Sequence, residues 1–252
     1  MKRLQQLLGY ARRCVDTYHM IAPGDRIAVG VSGGKDSLTL LSVLAALRRF
    51  YPHPFDLVAI TLDLGFGGMD FSPVAALCQS LDVPYVLEQT DIAPVIFDIR
   101  KEKNPCALCA KMRRGALHET ALRHGCRKVA LGHHRDDVLE TFLLCLFQES
   151  RISCFSPVTY LNRRDITLIR PLLYVPEGEI QRFAQEEALP VVHNPCPADG
   201  HTKREDMKNL LHTLAQGHPG LKDRMFRAVE HSAISGWLGS GPIQKEVTTH
   251  ET

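Results

Sequence analysis

A regular alternation of short apolar runs with helical patterns most constrains the fold of this chain. The apolar runs are residues 26–31, 57–62, 84–88 and 128–132. The helical patterns are residues 36–50, 72–81, 107–124 and 137–148. Continuous apolar runs of this length predict strands that are buried on both faces, as in parallel sheets. We therefore predict an α/β protein with a doubly wound parallel sheet, whose ligand site lies at the carboxyl ends of the strands.

Further elements flank this alternation on both sides. Leu4, Leu7, Leu8 and Ala11 recur at helical spacing and predict an amphipathic surface helix at the N-terminus. Residues 156–173 predict a strand hairpin that turns at Asn-Arg-Arg-Asp. After a helix at 176–188 comes a short PVVH run and the loop NPCPADGH, and we expect two more helices near 203–215 and 219–235.

These patterns suggest three parts of unequal size. We predict a main domain with the N-terminal helix over residues 1–190, a small C-terminal extension of loop and helices over 191–238, and a disordered tail over 239–252. No window approaches the roughly 18 uninterrupted apolar residues of a membrane helix. The N-terminus lacks an apolar signal-peptide core. We therefore expect a cytoplasmic protein with no membrane partner.

Charge is concentrated in one stretch of the chain. Residues 100–135 hold ten basic and two acidic side chains, a net charge of +8, which leaves −6 for the rest of a chain whose total is +2. The basic residues are Arg100, Lys101, Lys103, Lys111, Arg113, Arg114, Arg123, Arg127, Lys128 and Arg135. The simpler interpretation of these basic residues is a solvent-exposed face without a partner. The concentration of positive charge around a cysteine pair favours a polyanionic partner, namely nucleic acid.

The strongest local signal is the segment Val31-Ser-Gly-Gly-Lys-Asp-Ser37, which leaves the first apolar run and opens a helix. Its glycines allow a tight turn that brings backbone N–H groups close to an anion, and the helix N-terminus adds the positive end of its dipole. Ser32 and Ser37 can donate hydrogen bonds, and Lys35 supplies a cation. The spacing is not that of the G-x-x-x-x-G-K-[ST] loop, because Asp36 follows Lys35.

At these residues the chain resembles the PP-loop ATP pyrophosphatases. The resemblance implies that ATP is cleaved between its α- and β-phosphates and that AMP is transferred to a carbonyl oxygen, so that nitrogen or sulfur can attack the adenylated carbonyl. It also implies a loop that holds the pyrophosphate, with Lys35 as a catalytic cation, and a second strand whose end contacts adenine. The residues concerned are Ser32, Gly33, Gly34, Lys35, Asp36 and Ser37 in the loop, and Leu62 or Asp63 at the strand end.

A second element of that family is Gly132-His-His-Arg-Asp-Asp137, between the fourth apolar run and a helix. Two carboxylates at the carboxyl end of a strand suit a Mg²⁺ ion that bridges phosphates. Adjacent side chains do not easily face one ion, so either Asp136 or Asp137 is also a candidate helix cap. We take both aspartates as candidate catalytic residues, and Gly132 and His133 as candidate nucleotide contacts.

Three of the eight cysteines differ from the rest by their position. Cys106 and Cys109 form a C-x-x-C, and Cys196 lies in a proline-rich loop. This set is compatible with zinc, a redox dithiol or an iron–sulfur cluster. In a cytosolic chain such a set indicates metal binding or redox chemistry rather than structural disulfides. The others are interpreted as buried small side chains: Cys14, Cys78, Cys126, Cys145 and Cys154.

The longer string Cys106-Ala-Leu-Cys-Ala-Lys-Met-Arg-Arg-Gly115 is similar to that of the tRNA 2-thiocytidine synthetases, one branch of the PP-loop enzymes. The likeness spans about residues 1–195 and includes His19 to Arg26, Gly132 to Asp137 and Ile169 to Leu172. It implies that three cysteines bind a [4Fe–4S] cluster, that one iron holds a sulfur atom, and that cytosine C2 in a tRNA anticodon loop is thiolated. Arg113, one helical turn after Cys109, is a candidate to neutralise charge on the cluster or the adenylate.

The chain departs from that branch after its PVV run. Members carry a second C-x-x-C there, whereas this chain has Cys196 alone, and Asp199 takes the place of the second cysteine. We predict Cys196 as the third metal ligand, beside Cys106 and Cys109, with Asp199 as a weak fourth. A structural zinc site that adds His193 to the three cysteines is the alternative.

The main prediction is thus an ATP- and cluster-dependent tRNA thiolase that forms 2-thiocytidine. Its partners would be tRNA and a sulfur donor, either a cysteine desulfurase persulfide or sulfide, and a homodimer is left open. A 2-thiouridine product and a PP-loop ligase with an amine nucleophile remain alternatives. A metal- and nucleotide-binding protein without turnover is the third. The cysteine set separates the first function from the others, since the phosphate loop is common to several.

Overall fold

The computed structural model describes residues 2–100, 105–193, 195–196 and 203–240. The helices in this part are α1 (Lys2–Thr17), α2 (Lys35–Arg48), α3 (Ser72–Ser80), α4 (Ile92–Pro94), α5 (Pro105–Arg123), α6 (Arg135–Gln148), α7 (Glu177–Glu186), α8 (Lys203–Gly217) and α9 (Leu221–Glu230). The strands are β1 (Asp25–Gly30), β2 (Phe55–Asp63), β3 (Tyr85–Gln89), β4 (Lys128–Ala130), β5 (Val158–Leu161) and β6 (Ile166–Ile169). A π-helical turn (Val95–Ile99) continues α4, and a 3₁₀ turn (Leu238–Ser240) follows α9.

The described strands form one sheet in the order β3-β2-β1-β4-β6-β5. All neighbours are parallel except β5 and β6, which form the antiparallel hairpin. The chain leaves β1 towards β2 on one side, whereas β4 lies on its other side, so the strand order reverses between β1 and β4. A crevice forms at such a switch point, and it is where doubly wound proteins bind ligands. The predicted α/β fold with a doubly wound sheet is confirmed.

The sheet is buried on both faces, which explains why its central strands are continuously apolar. Ile27 and Val29 of β1 belong to one buried hydrophobic cluster, and Ala28 between them belongs to a second cluster on the other face. The first cluster also contains Leu7 of α1 and Leu211 of α8. The N-terminal helix and the C-terminal helices therefore share one core with the sheet, and the predicted division at residue 190 stays a prediction.

Some elements differ from the prediction. The sequence patterns predict no element for residues 92–99, which form α4 and the π-helical turn. They predict a final helix over 219–235, whereas this helix ends at Glu230, and a buried Trp237 then anchors the chain. Its indole N–H donates to the Phe155 carbonyl oxygen over 3.2 Å. Residues 239 and 240 lie in the 3₁₀ turn, whereas the rest of the predicted tail lies outside the described residues.

Within the described residues, no helix combines the length and the apolar character that crossing a bilayer requires.

Candidate functional site

The segment after β1 is folded as a tight loop with its hydroxyl groups turned inward. The Ser32 N–H donates to Ser37 Oγ over 3.1 Å, and the two Oγ atoms are 3.2 Å apart. Ser37 Oγ in turn donates to the Gly34 carbonyl oxygen over 2.9 Å. These contacts fix the loop at the N-terminus of α2, where free backbone N–H groups favour an anion.

Gly33 is required by the shape of this loop and by what packs on it. Its φ of +82° lies in the left-handed region, and a Cβ at this position would be 2.9 Å from the Cβ of Val192. The Val192 N–H donates to the Gly33 carbonyl oxygen over 3.0 Å. The PVV run therefore docks directly on the phosphate loop. A cleft of about 340 Å³ opens beside this contact, lined by residues 67–70 and 73 and by residues 190–193 and 195.

The loop after β4 approaches the same point from the other side of the switch point. A Cβ on Gly132 would lie 3.1 Å from the backbone of Asp36 and Ser37, so only glycine allows this close approach without displacement. His134 and Asp137 form a reciprocal cap at the start of α6: the His134 N–H donates to Asp137 Oδ2 over 2.8 Å, and the Asp137 N–H donates to His134 Nδ1 over 3.4 Å. Asp137 thus has the capping role that the sequence left open.

Asp136 is buried and held by the C-terminal part of the chain. Its Oδ2 accepts the Glu177 N–H over 2.8 Å, and its Oδ1 is 2.6 Å from Lys222 Nζ of α9. These partners outweigh the desolvation of the carboxyl, so the pKa of Asp136 is lowered. As a buried, doubly bonded carboxylate, it ties α7 and α9 to the start of α6.

Lys35 of the phosphate loop is surrounded by carboxylates and a second cation. Its Nζ lies 2.8 Å from Asp36 Oδ1 and 3.1 Å from Glu177 Oε1. The same Glu177 oxygen is 2.9 Å from Lys208 Nζ of α8. Burial opposes the charged form of Lys35, yet Asp36 and Glu177 raise its pKa, so the lysine is cationic at neutral pH.

Glu140 faces the same group of charges from α6. Its side chain is 6% exposed and lies 3.9 Å from the Arg204 guanidinium. Burial and the neighbouring Asp137 carboxylate raise the pKa of Glu140 to about 7, against the opposing effect of Arg204 and Lys208. This carboxyl group therefore gains and loses its proton near neutral pH.

His133 lies between the site and a buried arginine. Its ring centroid is 4.9 Å from that of Phe155, and the Arg170 guanidinium lies over the same phenyl ring at 5.0 Å. Burial and the Arg170 charge lower the pKa of His133 to about 4, so the ring is neutral at physiological pH. Arg170 donates to the Ser156 carbonyl oxygen and to Thr159 Oγ1. A neutral imidazole is suited to hydrogen bonding with a nucleotide without repelling a cation.

The two predicted adenine contacts lie at the end of the second strand, as expected. Leu62 and Asp63 are half-buried at the carboxyl end of β2. Asp63 Oδ1 accepts the Gly65 N–H over 3.0 Å, which turns the chain away from the sheet. Thr61, just before them, donates from Oγ1 to the Val31 carbonyl oxygen over 2.8 Å and so links β2 to the phosphate loop. Their contact with adenine stays a prediction.

The three distinctive cysteines influence one another electrostatically. Cys106 and Cys109 lie in the first turns of α5, one helical turn apart, with Arg113 on the next turn. Burial raises the pKa of the Cys109 thiol; Arg113 opposes this shift, and the Cys196 and Cys106 groups add to it. Cys106 is exposed and Cys109 and Cys196 are half-buried, whereas Cys14, Cys78, Cys126 and Cys145 are buried as expected. Cys154, which was also expected to be buried, is half-buried.

The arrangement of these thiols does not by itself define a metal site. Among the described residues, no group of three or more His, Cys, Asp or Glu side chains is placed to hold a metal ion. His193 is exposed, and Asp199, the weak fourth ligand predicted from the sequence, lies outside the described residues. Ligation by Cys106, Cys109 and Cys196 stays a prediction, as does Mg²⁺ binding at Asp136 and Asp137.

The basic stretch separates into paired and unpaired cations. Arg123, Arg127, Lys128 and Arg135 form ion pairs with Glu88, Asp165, Asp25 and Asp223, respectively. In the described part of the chain, three exposed cations of α5 make no ion pair with a carboxylate, and two more are exposed at the β5–β6 turn. We call these five the α5–hairpin basic surface: Lys111, Arg113, Arg114, Arg163 and Arg164.

Sequence reasoning missed the residues that complete the charged network. Glu177 of α7 pairs with Lys35 of the phosphate loop, and Lys208 of α8 pairs with Glu177. Arg204 of α8 and Lys222 of α9 pair with carboxylates of α6. Nothing in their local sequence distinguishes them from surface residues of amphipathic helices. Only packing brings them to the site, that of α7 against α2 and that of α8 and α9 against α6.

Comparison with known proteins places this geometry in a family. The sequence profile of the PP-loop domain matches residues 6–214. A tRNA-cytidine(32) 2-sulfurtransferase of Geobacter metallireducens is 41% identical over 235 residues, which cover 90% of each chain. Another of the same name, from Pelobacter propionicus, is 42% identical and covers 91% of this chain and 86% of its own.

A solved structure shares the fold over most of the chain. The U34-tRNA thiolase NcsA from Methanococcus maripaludis, determined with its [4Fe-4S] cluster, superposes with a TM-score of 0.72 at 24% identity. The match covers 88% of this chain and 76% of that one. With the profile match and the two relatives, the conclusion is that this chain belongs to the PP-loop family and, within it, to the family of the tRNA-cytidine(32) 2-sulfurtransferases.

Proposed function

We propose that this protein is an ATP-dependent tRNA sulfurtransferase that converts cytidine 32 to 2-thiocytidine. One observation carries the proposal beyond family membership: the phosphate loop and the cysteine group are joined by one short segment. The Val192 N–H donates to the Gly33 carbonyl oxygen, and Cys196, four residues later, adds through its charge to the raised pKa of the Cys109 thiol. Four residues span at most about 14 Å, so adenylation and sulfur transfer can take place on one bound base.

The first step would be activation of the cytosine C2 oxygen by ATP. The α2 N-terminus, the loop N–H groups and Lys35 would bind the pyrophosphate part of ATP, and the loss of pyrophosphate would leave AMP on that oxygen. His133 follows β4, and its neutral ring can accept a hydrogen bond from the nucleotide or donate one to it. The C2 oxygen then departs with AMP when sulfur attacks C2.

The cleft beside Val192 is the proposed entry for the target base. It is lined by residues 67–70, 73, 190–193 and 195, among them Val192, which packs on Gly33 of the phosphate loop. A base has to leave its stack to reach such a cleft, and bases in single-stranded loops do so at low cost.

The cysteine set fits a cluster better than it fits structural thiols. Cys106 is exposed and Cys109 and Cys196 are half-buried, and Arg113 supplies a cation where a cluster would carry negative charge. We propose that Cys106, Cys109 and Cys196 would hold a [4Fe–4S] cluster, which would supply the sulfur-transfer chemistry when bound. The sulfur donor would be sulfide, or a cysteine desulfurase persulfide together with a two-electron reductant such as a thiol. The exposure of Cys106 leaves the cysteine set open to such a donor.

Magnesium is proposed as a companion of ATP. Asp136 is already held by Glu177 and Lys222, and Asp137 Oδ2 accepts the His134 N–H of the α6 cap. We therefore propose the other oxygen of Asp137, Oδ1, as the carboxylate ligand of the pair. Mg²⁺ commonly binds through one or two carboxylates together with substrate phosphates, so a complete protein cage is not required. Lys35 and Asp137 are then the residues that we expect to be essential for adenylation.

The tRNA would lie across the α5–hairpin basic surface. This surface starts at the cysteine helix and continues to the β5–β6 turn, where Arg164 donates to the Gly115 carbonyl oxygen over 3.5 Å. Phosphate contacts of this kind position a nucleic acid without reading its sequence. We propose the cytoplasm as the compartment, and the homodimer stays a prediction.

Complementation of a strain that lacks this gene tests the proposal. The wild-type chain should restore 2-thiocytidine at position 32, measured by mass spectrometry of tRNA digests. Lys35→Ala should give no thionucleoside but should keep about four iron atoms and four sulfide ions per chain after anaerobic purification. Cys109→Ala and Cys196→Ala should lose iron and sulfide but still bind ATP.

Two outcomes would contradict this function. Unchanged thionucleosides in the deletion strain would exclude a role in tRNA thiolation. Stoichiometric zinc without sulfide in the wild-type protein would make the cysteines a structural site, and an amine-dependent ligase would then explain the adenylating loop. Loss of both ATP and metal binding in either single variant would indicate unfolding, and the thermal midpoint of each variant checks for it.

A further inference from the structure

A lysine of the C-terminal helix α8 lies beside the lysine of the phosphate loop. Lys35 Nζ and Lys208 Nζ are 3.1 Å and 2.9 Å from one and the same oxygen of Glu177. The two distances together limit the separation of the ammonium nitrogens to about 6 Å, which two oxygens of one pyrophosphate can bridge by charge-assisted hydrogen bonds.

The surroundings of Lys208 favour a ligand over a purely structural pair. Its side chain is 39% exposed, whereas that of Glu177 is 11% exposed, so the ammonium group lies on the open side of the pair. Glu177 Oε1 also pairs with Lys35, so Lys208 shares this oxygen with a second ammonium group. Burial lowers the pKa of Lys208, whereas the Glu177, Glu140 and Glu205 carboxylates raise it, so the group stays cationic and available to a phosphate. The neighbouring residues Met207 and Leu211 are buried in the core and hold α8 in this position.

We infer that Lys208 is a second phosphate-binding cation, and that Glu177 holds Lys35 and Lys208 in place until the β- and γ-phosphates of ATP bind both. The inference rests on the proposed function, since it assumes that the loop binds ATP. It makes α8, which lies outside the phosphate loop and its sheet, a part of the ATP site. Nothing in the α8 sequence predicted this role.

Separate titrations of the anaerobically purified holoprotein with magnesium pyrophosphate and with AMP test the inference. Lys208→Met keeps the aliphatic stem and removes the charge, and it should raise the Kd of pyrophosphate about tenfold or more, as for loss of one charge-assisted hydrogen bond. The Kd of AMP should change by less than about twofold, because AMP lacks the β- and γ-phosphates. Lys208→Arg should stay within about threefold of the wild type, since guanidinium also binds phosphate.

Lys203→Ala is the matched control, because Lys203 lies on the same helix and contacts Gln148 Oε1 over 3.2 Å, away from the loop. It should bind both ligands as the wild type does. Unchanged pyrophosphate binding in folded Lys208→Met overturns the inference, and so does an equal loss of pyrophosphate and AMP, which indicates a structural role. Failure of the wild-type protein to bind ATP at all would instead refute the proposed function, and the inference with it.

Discussion

Replacing Gly33 by alanine tests whether the phosphate loop and the PVV run form one unit. The added Cβ meets two separate obstacles. The backbone has a φ of +82°, which an L-residue adopts only with strain, and the Cβ would lie 2.9 Å from Val192 Cβ and 3.2 Å from Val192 Cγ2. Carbon atoms in ordinary contact are about 3.5–4.0 Å apart, so the valine or the loop has to move.

The two obstacles can be assigned separate free energies. A left-handed conformation costs a non-glycine residue about 1–2 kcal/mol. Forcing an extra carbon into packed surroundings costs about 1–3 kcal/mol. We therefore expect Gly33→Ala to lower the free energy of unfolding by about 2–5 kcal/mol, and to weaken ATP binding at least about tenfold because the displaced loop carries the phosphate donors.

A double-mutant cycle with Val192→Gly separates these terms. The second change removes the carbon that collides, so in that background Gly33→Ala should cost only the conformational term of about 1–2 kcal/mol. Gly24→Ala is the matched control, because Gly24 has a φ of +80° and a Cβ added there would meet no atom within 4 Å. Urea-induced unfolding gives the stabilities, and calorimetric titration gives the affinity for ATP.

Two results would refute this reasoning. Gly33→Ala with the same unfolding free energy as Gly24→Ala would show that Val192 does not press on the loop. A coupling energy near zero in the cycle would show that the loop and the PVV run do not interact energetically. Either result would also remove the link between the loop and the Cys196 segment on which the proposed function rests.

Two further predictions concern buried side chains. The pKa of Glu140 is about 7 instead of the usual 4.5, so the folded state holds this proton more tightly than the unfolded state, and the associated stability is lost as the pH rises through 7. In urea unfolding, the Glu140→Gln variant should therefore be about 1–3 kcal/mol more stable than the wild type at about pH 8 and equally stable below about pH 4.5. A constant difference at every pH would be inconsistent with this pKa shift. Trp237 is fully buried, with ring centroids 6.0 Å from Tyr18 and 5.8 Å from Phe226. Trp237→Ala should cost about 3–5 kcal/mol and lower the unfolding midpoint of the whole chain, whereas loss of α8 and α9 alone at an unchanged midpoint would show a separate C-terminal unit.

The fold was predictable because its signals are local. The buried strands of a doubly wound sheet are continuously apolar, and the helices between them are periodic, so neighbouring residues are enough to identify both. The predicted runs at 57–62 and 84–88 correspond to β2 (Phe55–Asp63) and β3 (Tyr85–Gln89). The π-helical turn at Val95–Ile99 was not predictable in this way, since its short irregular hydrogen bonding has no distinctive residue pattern.

The candidate site was predictable in its loops and cysteines only. Gly33, Gly132 and the C-x-x-C stand out because backbone conformation and metal or redox chemistry restrict those positions to few residue types. The role of Asp136 could not be inferred in the same way. Its partners Glu177 and Lys222 are 41 and 86 positions away, and only packing decides that they meet.

The sequence by itself thus determined the sheet, the phosphate loop and the identity of the three cysteines, because each depends on residues that are adjacent or nearly so. The tertiary structure alone decided that the PVV run rests on Gly33, that α8 and α9 deliver Lys208 and Lys222 to the carboxylates, and that Glu140 binds its proton near neutral pH. The physical reason is that desolvation and charge pairing depend on distances between side chains, and packing sets these distances between residues far apart in the chain.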